Sequence, residues 1–260
     1  MNAGFLSPLD EAHDHYLRLK GASVVVTEAL QRIQDNVEIA IEERAMMCVH
    51  GDSGLGKTMS VNASLRELAP DDTLRIQFRS HPYPRDIRNV LFDALEIPGP
   101  APVYPLEFDK LLKEKLAEKF RVLVCDEAQW LSTDCFELWR HLWDDPGTDI
   151  TIIFVGGAHC YKVLQRERML ASRVLLWQKF EPLTAAEVMT VMPVYHSIWA
   201  EADLEDILLA NRQAGHGNFR AWAKITVLAV RALKKLGRTT VDKDVLVWVF
   251  DRLRENKELS

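Results

Sequence analysis

No apolar stretch in this chain approaches the roughly 20 residues that a membrane-spanning helix requires, and its first residues carry no basic region followed by an apolar core. A cytoplasmic setting with no membrane partner is therefore expected. Cysteine is sparse. The four that occur, Cys48, Cys125, Cys135 and Cys160, show no Cys-x-x-Cys spacing, and two of them fall inside short apolar runs. That pattern argues against a zinc site or a disulfide framework and fits small buried hydrophobes in a reducing compartment. Positive charge is also in deficit: 32 Lys and Arg stand against 38 Asp and Glu, a formal net charge of −6. A monomeric nucleic-acid binder normally shows the opposite balance. What remains is an ordinary globular composition, 48% hydrophobic in 260 residues, which suits one α/β domain with a smaller appendage.

Against that background Gly51 to Thr58 read GDSGLGKT, which matches the P-loop pattern G-x-x-x-x-G-K-[ST]. The surroundings agree with it. Ala45 to His50 (AMMCVH) is a short apolar run of the length of a buried parallel strand, and Met59 to Leu68 carries apolar residues at helical spacing. The order is strand, loop, helix, and it predicts a nucleoside triphosphate site built from Gly51, Asp52, Ser53, Gly54, Leu55, Gly56, Lys57, Thr58 and Met59. The three glycines let the backbone fold into a nest whose N–H groups converge on a phosphate at the positive end of the following helix. Lys57 is expected to reach the β- and γ-phosphates of ATP, and the Thr58 hydroxyl to ligate Mg²⁺.

A second motif, Arg121 to Gln129 (RVLVCDEAQ), places two carboxylates at the end of an apolar run that reads as another central strand. Asp126 is expected to hold Mg²⁺ through water, and Glu127 to orient and deprotonate an attacking water. An acid directly after the metal-binding acid argues for ATP hydrolysis over phosphoryl transfer to a second small substrate.

The rest of the chain alternates. Residues 9–44 predict one or two helices, with Val26, Leu30, Ile33, Val37 and Ile41 near helical spacing. Strands follow at 73–78, 149–155 and 174–180, and helices at 86–95, 106–120 and 134–143, with a proline-rich loop over 98–105. About five strands alternating with helices imply a parallel sheet flanked by helices. After Pro182 the strand signals stop, and 184–199, 203–211, 218–236 and 241–254 all read as helices. The expected organisation is an N-terminal helical segment (1–44), an α/β nucleotide-binding domain (45–182) and a small all-helical lid (183–260).

A P-loop, a strand ending in Asp-Glu and a helical lid together resemble the AAA+ ATPase superfamily, over about residues 25 to 254. The resemblance implies an active site between subunits, completed by a neighbour's arginine; Arg173 stands at the matching position, with Arg168 as a nearby substitute. Gly217-Asn218-Phe219-Arg220 resembles the lid signature whose arginine, here Arg220, contacts the γ-phosphate. Gly-Asn-Phe-Arg before an apolar helix, Asp126-Glu127-Ala128-Gln129, and the segment from Ser80 to Asp86 (SHPYPRD) resemble more narrowly the transposition-regulator branch of target-selection ATPases. That branch implies ATP-dependent assembly as a homo-oligomer, a ring or helical filament on double-stranded DNA, presentation of the DNA to a transposase, and hydrolysis that removes the protein. The implied DNA contacts come from loops after central strands: Arg79, His81, Arg85 and Arg88, with Lys110 and Lys113 as a second set.

Several features pull against this expectation or qualify it. The acidic charge requires a few phosphate contacts per subunit to be summed over many subunits, so binding should be cooperative and salt-sensitive. Relatives place a polar residue at the end of the fourth strand to help position the attacking water, whereas this chain reads Val155-Gly156-Gly157-Ala158, with His159 as the candidate substitute. The first forty residues are too few and too lightly basic for a separate helix-turn-helix domain, so DNA contact is expected from the ATPase core. Trp130, Trp139, Trp143 and Trp222 are expected as core or subunit anchors, and the basic run from Arg231 to Arg238 as a favourably charged helix C-terminus closed by Gly237. The competing functions are a nucleotide-operated protein switch that never touches DNA, and a helicase loader.

Overall fold

The computed structural model describes residues 19–78 and 81–258. Five strands, β1 (Met46–Gly51), β2 (Thr73–Gln77), β3 (Arg121–Asp126), β4 (Ile150–Gly156) and β5 (Val174–Phe180), form one sheet in the order β2-β3-β4-β1-β5, and every pairing is parallel. The three central strands are buried along nearly their whole length. Parallel sheets covered on both faces favour such continuous apolar runs over alternation.

Helices α1 (Glu28–Glu42), α2 (Lys57–Leu68), α3 (Pro84–Ala94), α4 (Pro105–Leu116), α5 (Thr133–Trp143), α6 (Cys160–Arg166) and α7 (Arg168–Ala171) precede β5. One core joins Met46, Cys48, Leu123, Cys125, Ile152 and Phe154 of the sheet to Leu91, Leu112, Phe136 and Trp139 of the helices. Phe154 meets Phe136 and Trp139 edge-on, with ring centroids 6.0 and 6.4 Å apart, the geometry that aromatic quadrupoles prefer. The four cysteines are buried and unbridged. Contact with Cys160 and burial hold the Cys48 thiol well above its ordinary value, and burial does the same for Cys125, so both are unreactive thiols.

After β5 come α8 (Ala185–Tyr195), α9 (Leu204–Ala210), a π turn (Asn211–Gly215), α10 (Phe219–Leu236) and α11 (Lys243–Glu258). Among the described residues the chain divides into an α/β unit (32–52 and 57–180) and a helical unit (19–31, 53–56 and 181–258). The helical unit has its own core around Trp199 and Trp222, whose rings stand perpendicular with centroids 5.2 Å apart. Trp199 Nε1 donates to Thr226 Oγ1 at 3.0 Å, and that hydroxyl donates to the Trp222 carbonyl at 2.8 Å. Asn218 caps α10 by accepting from Ala221 N–H, and Gly237 closes it at φ 64°.

The architecture follows the sequence reading, with local departures. Residues 19–27 are not helical: Gly21 has φ 81°, Ala22 forms a bridge with His196, and Ser23 N–H donates to the Tyr195 carbonyl at 2.9 Å. The β-branched run Val24-Val25-Val26-Thr27 disfavours helix, and Thr27 starts α1 by accepting from Leu30 N–H at 3.1 Å. Residues 9–18 lie outside those described. Helix α4 stops at Leu116, short of 120, and α8 stops at Tyr195, two residues after Pro193. Helices α6 and α7 interrupt what reads as a connection; the apolar trio Cys160, Val163 and Leu164, at helical spacing, is the signal for the first.

Trp222 is fully buried, so Trp222→Ala is expected to destabilise the helical unit by about 3–5 kcal/mol. Equilibrium urea unfolding followed by tryptophan fluorescence measures this. A loss under about 1 kcal/mol would place the core of that unit elsewhere.

Candidate functional site

Parallel register makes the site. His50 of β1 lies opposite Gly156 of β4, Val124 of β3 opposite Ile153, and Gln77 of β2 opposite Asp126. The loops that carry the two motifs and the end of β4 therefore leave the sheet at one carboxyl edge, where open α/β sheets bind ligands.

The P-loop starts where β1 ends and closes where α2 begins. Gly51, Gly54 and Gly56 have φ of 145°, 86° and 91°, the conformations that only glycine adopts at no steric cost. Lys57 is 8% exposed, and its Nζ donates to the carbonyls of Gly51 at 2.9 Å and Asp52 at 2.7 Å. The ammonium is thus held inside its own loop. Burial, then the charges of Lys179 and Lys57, lower the His50 imidazole from its ordinary value, so it is neutral near pH 7.

Residues 53–56 belong to the helical unit. There Asn218 Nδ2 donates to the Ser53 carbonyl at 2.8 Å, Arg220 Nη1 to Ser53 Oγ at 2.6 Å, and Arg220 N–H to the Gly54 carbonyl at 3.1 Å. A Cβ on Gly54 would sit 2.5 Å from Asn218 Oδ1, so this close approach requires glycine as much as the φ angle does. Leu55 is buried, Met59 half-buried, and Asp52 and Ser53 are exposed.

Asp126 is 6% exposed at the end of β3. Its Oδ2 lies 3.4 Å from Thr58 Oγ1, its Oδ1 accepts Glu127 N–H at 2.9 Å, and Arg75 of β2 makes an ion pair to it. Thr58 and Asp126 together present two hard oxygen donors, a set suited to Mg²⁺. Glu127 has φ 55° and ψ 36°, an uncommon left-handed conformation for a residue with a side chain, and is exposed. Gln129 Nε2 donates to its carboxylate.

Other expected residues stand differently. Arg173 Nε pairs with Asp144 Oδ1 at 2.5 Å, and its Nη1 donates to the Met169 carbonyl at 2.5 Å. Burial pushes the Asp144 carboxyl up, but Arg173 and Arg140 outweigh it and hold the group below its ordinary value. Arg173 is thereby engaged within its own subunit, whereas Arg168 is exposed. Arg88 is spent in a bidentate pair with Asp109, at 2.6 and 2.9 Å, so its charge is neutralised. Arg85 is exposed at the start of α3, and His81, at φ 58°, turns its ring edge-on to Trp130 with centroids 5.1 Å apart. Arg79 lies outside the described residues. Lys110 is exposed beside Glu114 at 3.8 Å, and Lys113 pairs with Asp145 at 3.0 Å. His159 is exposed ahead of α6, and its side chain does not cap that helix. Sequence reasoning overlooked Arg75 and Gln129. For Arg75 the signal is a cation in the middle of a short, half-buried strand.

Residues 40–164 match the family model described as an AAA domain. No curated protein matches the chain in sequence. Among solved structures, Aeropyrum pernix ORC2 in ADPNP and ADP complexes aligns with TM-score 0.69 at 14% identity, covering 90% of this chain and 69% of that one. Aeropyrum pernix ORC1 in complex with DNA aligns with TM-score 0.68 at 14% identity, covering 95% and 68%. The Thermotoga maritima RuvB Holliday junction branch migration motor aligns with TM-score 0.62 at 14% identity, covering 92% and 72%.

The Arg75–Asp126 pair is mostly buried, with side chains 13% and 8% exposed. Arg75→Ala is therefore expected to destabilise the nucleotide-free protein by about 3–5 kcal/mol, because it strands a buried charge. Adding Asp126→Asn should recover part of that loss in urea unfolding. Purely additive losses would show that the two residues are not coupled.

Proposed function

On the premise that residues 40–164 form an AAA-type P-loop domain, we propose that this protein is an ATPase that binds double-stranded DNA as an oligomer and regulates DNA transposition. The observation that carries the ATPase part is the meeting of Thr58 Oγ1, Asp126 and Glu127 at one sheet edge, with Lys57 drawn into the loop beside them. In this reading the P-loop amides and Lys57 bind the phosphates, Thr58 and Asp126 hold the metal, and Arg220, seated on Ser53, contacts the nucleotide. Bound Mg²⁺ supplies charge neutralisation on the phosphate oxygens. Glu127 then orients a water and takes its proton.

The DNA part rests on likeness. The alignments include a DNA-bound ORC1 and a branch-migration motor, and the Gly217–Arg220 and Asp126–Gln129 motifs resemble the transposition-regulator branch, which supports a transposase as partner. Arg85, His81 and Lys110 are the exposed basic residues left to face phosphates, with Arg79 beyond the described region. The finger from a neighbouring subunit is assigned to Arg168 in preference to Arg173, which Asp144 holds. One observation favours a protein-operated switch without DNA: the net charge of −6, sharpened by the neutralised Arg88.

Three outcomes follow. ATP should support DNA binding that weakens about 10-fold or more between 50 and 200 mM salt, and Lys57→Ala should abolish both nucleotide and DNA binding; ATP binding with no DNA binding under any salt would select the protein switch. Glu127→Gln should keep ATP affinity and lose turnover by about 10²- to 10⁴-fold, the range for a positioned base. In ATPase assays across protein concentration, Arg168→Ala should lower only the assembly-dependent rate by about 10³-fold, and an equal loss from Arg173→Ala alone would reverse the assignment.

A further inference from the structure

The end of β4 lacks a polar side chain, yet a polar group occupies the place. Gln129, in the 3₁₀ turn Ala128–Trp130 after β3, folds its amide between the two strand ends. Gly157 N–H donates to Gln129 Oε1 at 2.8 Å, and Gln129 Nε2 donates to Glu127 Oε2. The orientation of the amide is not ambiguous. A peptide N–H must meet the oxygen, and a carboxylate must meet the NH₂, so only one flip satisfies both partners.

Gly156 makes the room. A Cβ there would fall 2.5 Å from Gln129 Oε1 and 2.6 Å from Cys160 Cβ, so a side chain at 156 and a docked Gln129 exclude one another. The missing strand-end side chain and the glutamine two residues after Glu127 are thus two halves of one arrangement. Glu127 needs such a restraint: it is exposed, and its backbone is fixed by the bond from its N–H to Asp126, which leaves its carboxylate free to rotate.

We infer that Gln129 is the positioning residue for Glu127, tying its carboxylate to the end of β4 in place of a polar side chain on that strand. The inference rests on the reading of Glu127 as the base that activates water. Gln129 touches no reacting atom; it sets the direction in which Glu127 presents its oxygen, and a misplacement of about 1 Å costs about 100-fold in rate.

The test compares Gln129→Ala, Gln129→Glu, Glu127→Gln and the double variant Glu127→Gln/Gln129→Ala in single-turnover ATP hydrolysis, with a fluorescent ATP analogue measuring affinity. Gln129→Glu keeps the shape and can still accept Gly157 N–H, but it has no N–H for Glu127. It should lose at least 10-fold in rate, as Gln129→Ala should, with ATP affinity unchanged within twofold, and the double variant should be no slower than Glu127→Gln. A near-normal rate for Gln129→Glu beside a slow Gln129→Ala would make Gln129 a packing piece and overturn the inference, as would a double variant slower still than Glu127→Gln. If Glu127→Gln turns over normally, the reading of Glu127 as base fails instead. Independently of activity, the Gln129 side-chain amide resonances of the nucleotide-free protein, identified by their loss in Gln129→Ala, should move in Glu127→Ala along with the Gly157 amide. Resonances that stay in place would overturn the inference on geometry alone.

Discussion

Everything at the candidate site depends on the parallel hydrogen bonding of β1 against β4 and of β4 against β3. Parallel pairing in level register sends three successive strand ends to the same edge, although the residues that emerge there are far apart in the sequence. A P-loop alone is a phosphate cradle, and an acid pair alone is a solvated strand end. Shared register turns them into one cluster in which Thr58 lies 3.4 Å from Asp126. Residue-specific contacts along β4 hold that register: Phe154 packs edge-on against Phe136 and Trp139, and the buried Thr151 hydroxyl donates to the Ala40 carbonyl at 2.9 Å, so a one-residue slip would turn these side chains to the opposite face.

Charge at the edge is arranged locally and not borrowed from the whole molecule. The chain is acidic overall, yet around the motifs the cations are internal: Lys57 inside its loop, Arg75 on Asp126, Arg88 on Asp109, Arg173 on Asp144. Most of the arginines near the site therefore balance carboxylates of the same chain. In the proposed reading, affinity for a polyanion would therefore be summed over many copies acting together.

Much of this was legible in the sequence, and the reasons are physical. Five strands and their order of appearance could be read because buried parallel strands are continuous apolar runs, and the P-loop because its glycines, lysine and threonine each serve a distinct geometric need. The boundaries that moved, at Gly21 to Thr27 and around Pro193, lie where β-branched residues or proline compete with an otherwise helical pattern. What could not be read was pairing between distant residues. Arg88 looks like a free cation until α4 brings Asp109 beside it, and Gln129 looks like a solvated polar residue until β4 ends within reach of it. His159 was the nearest polar residue in sequence to the gap at Gly156, but Gln129, from a different strand end, is the nearest in space.

Within the helical unit, Leu183 N–H donates to the Gly217 carbonyl at 3.0 Å, and Gly217 at φ 67° has no room for a Cβ against the Leu183 backbone. Main chain is therefore knotted to main chain at the base of everything between them, from α8 through the π turn. Residues 184–216 form a closed excursion whose two ends stay together whatever its length. The interval also carries core, since Met192, Trp199 and Ile207 are fully buried, so one main-chain bond holds both ends of a packed segment while Asn218 and Arg220 keep their seat on Ser53.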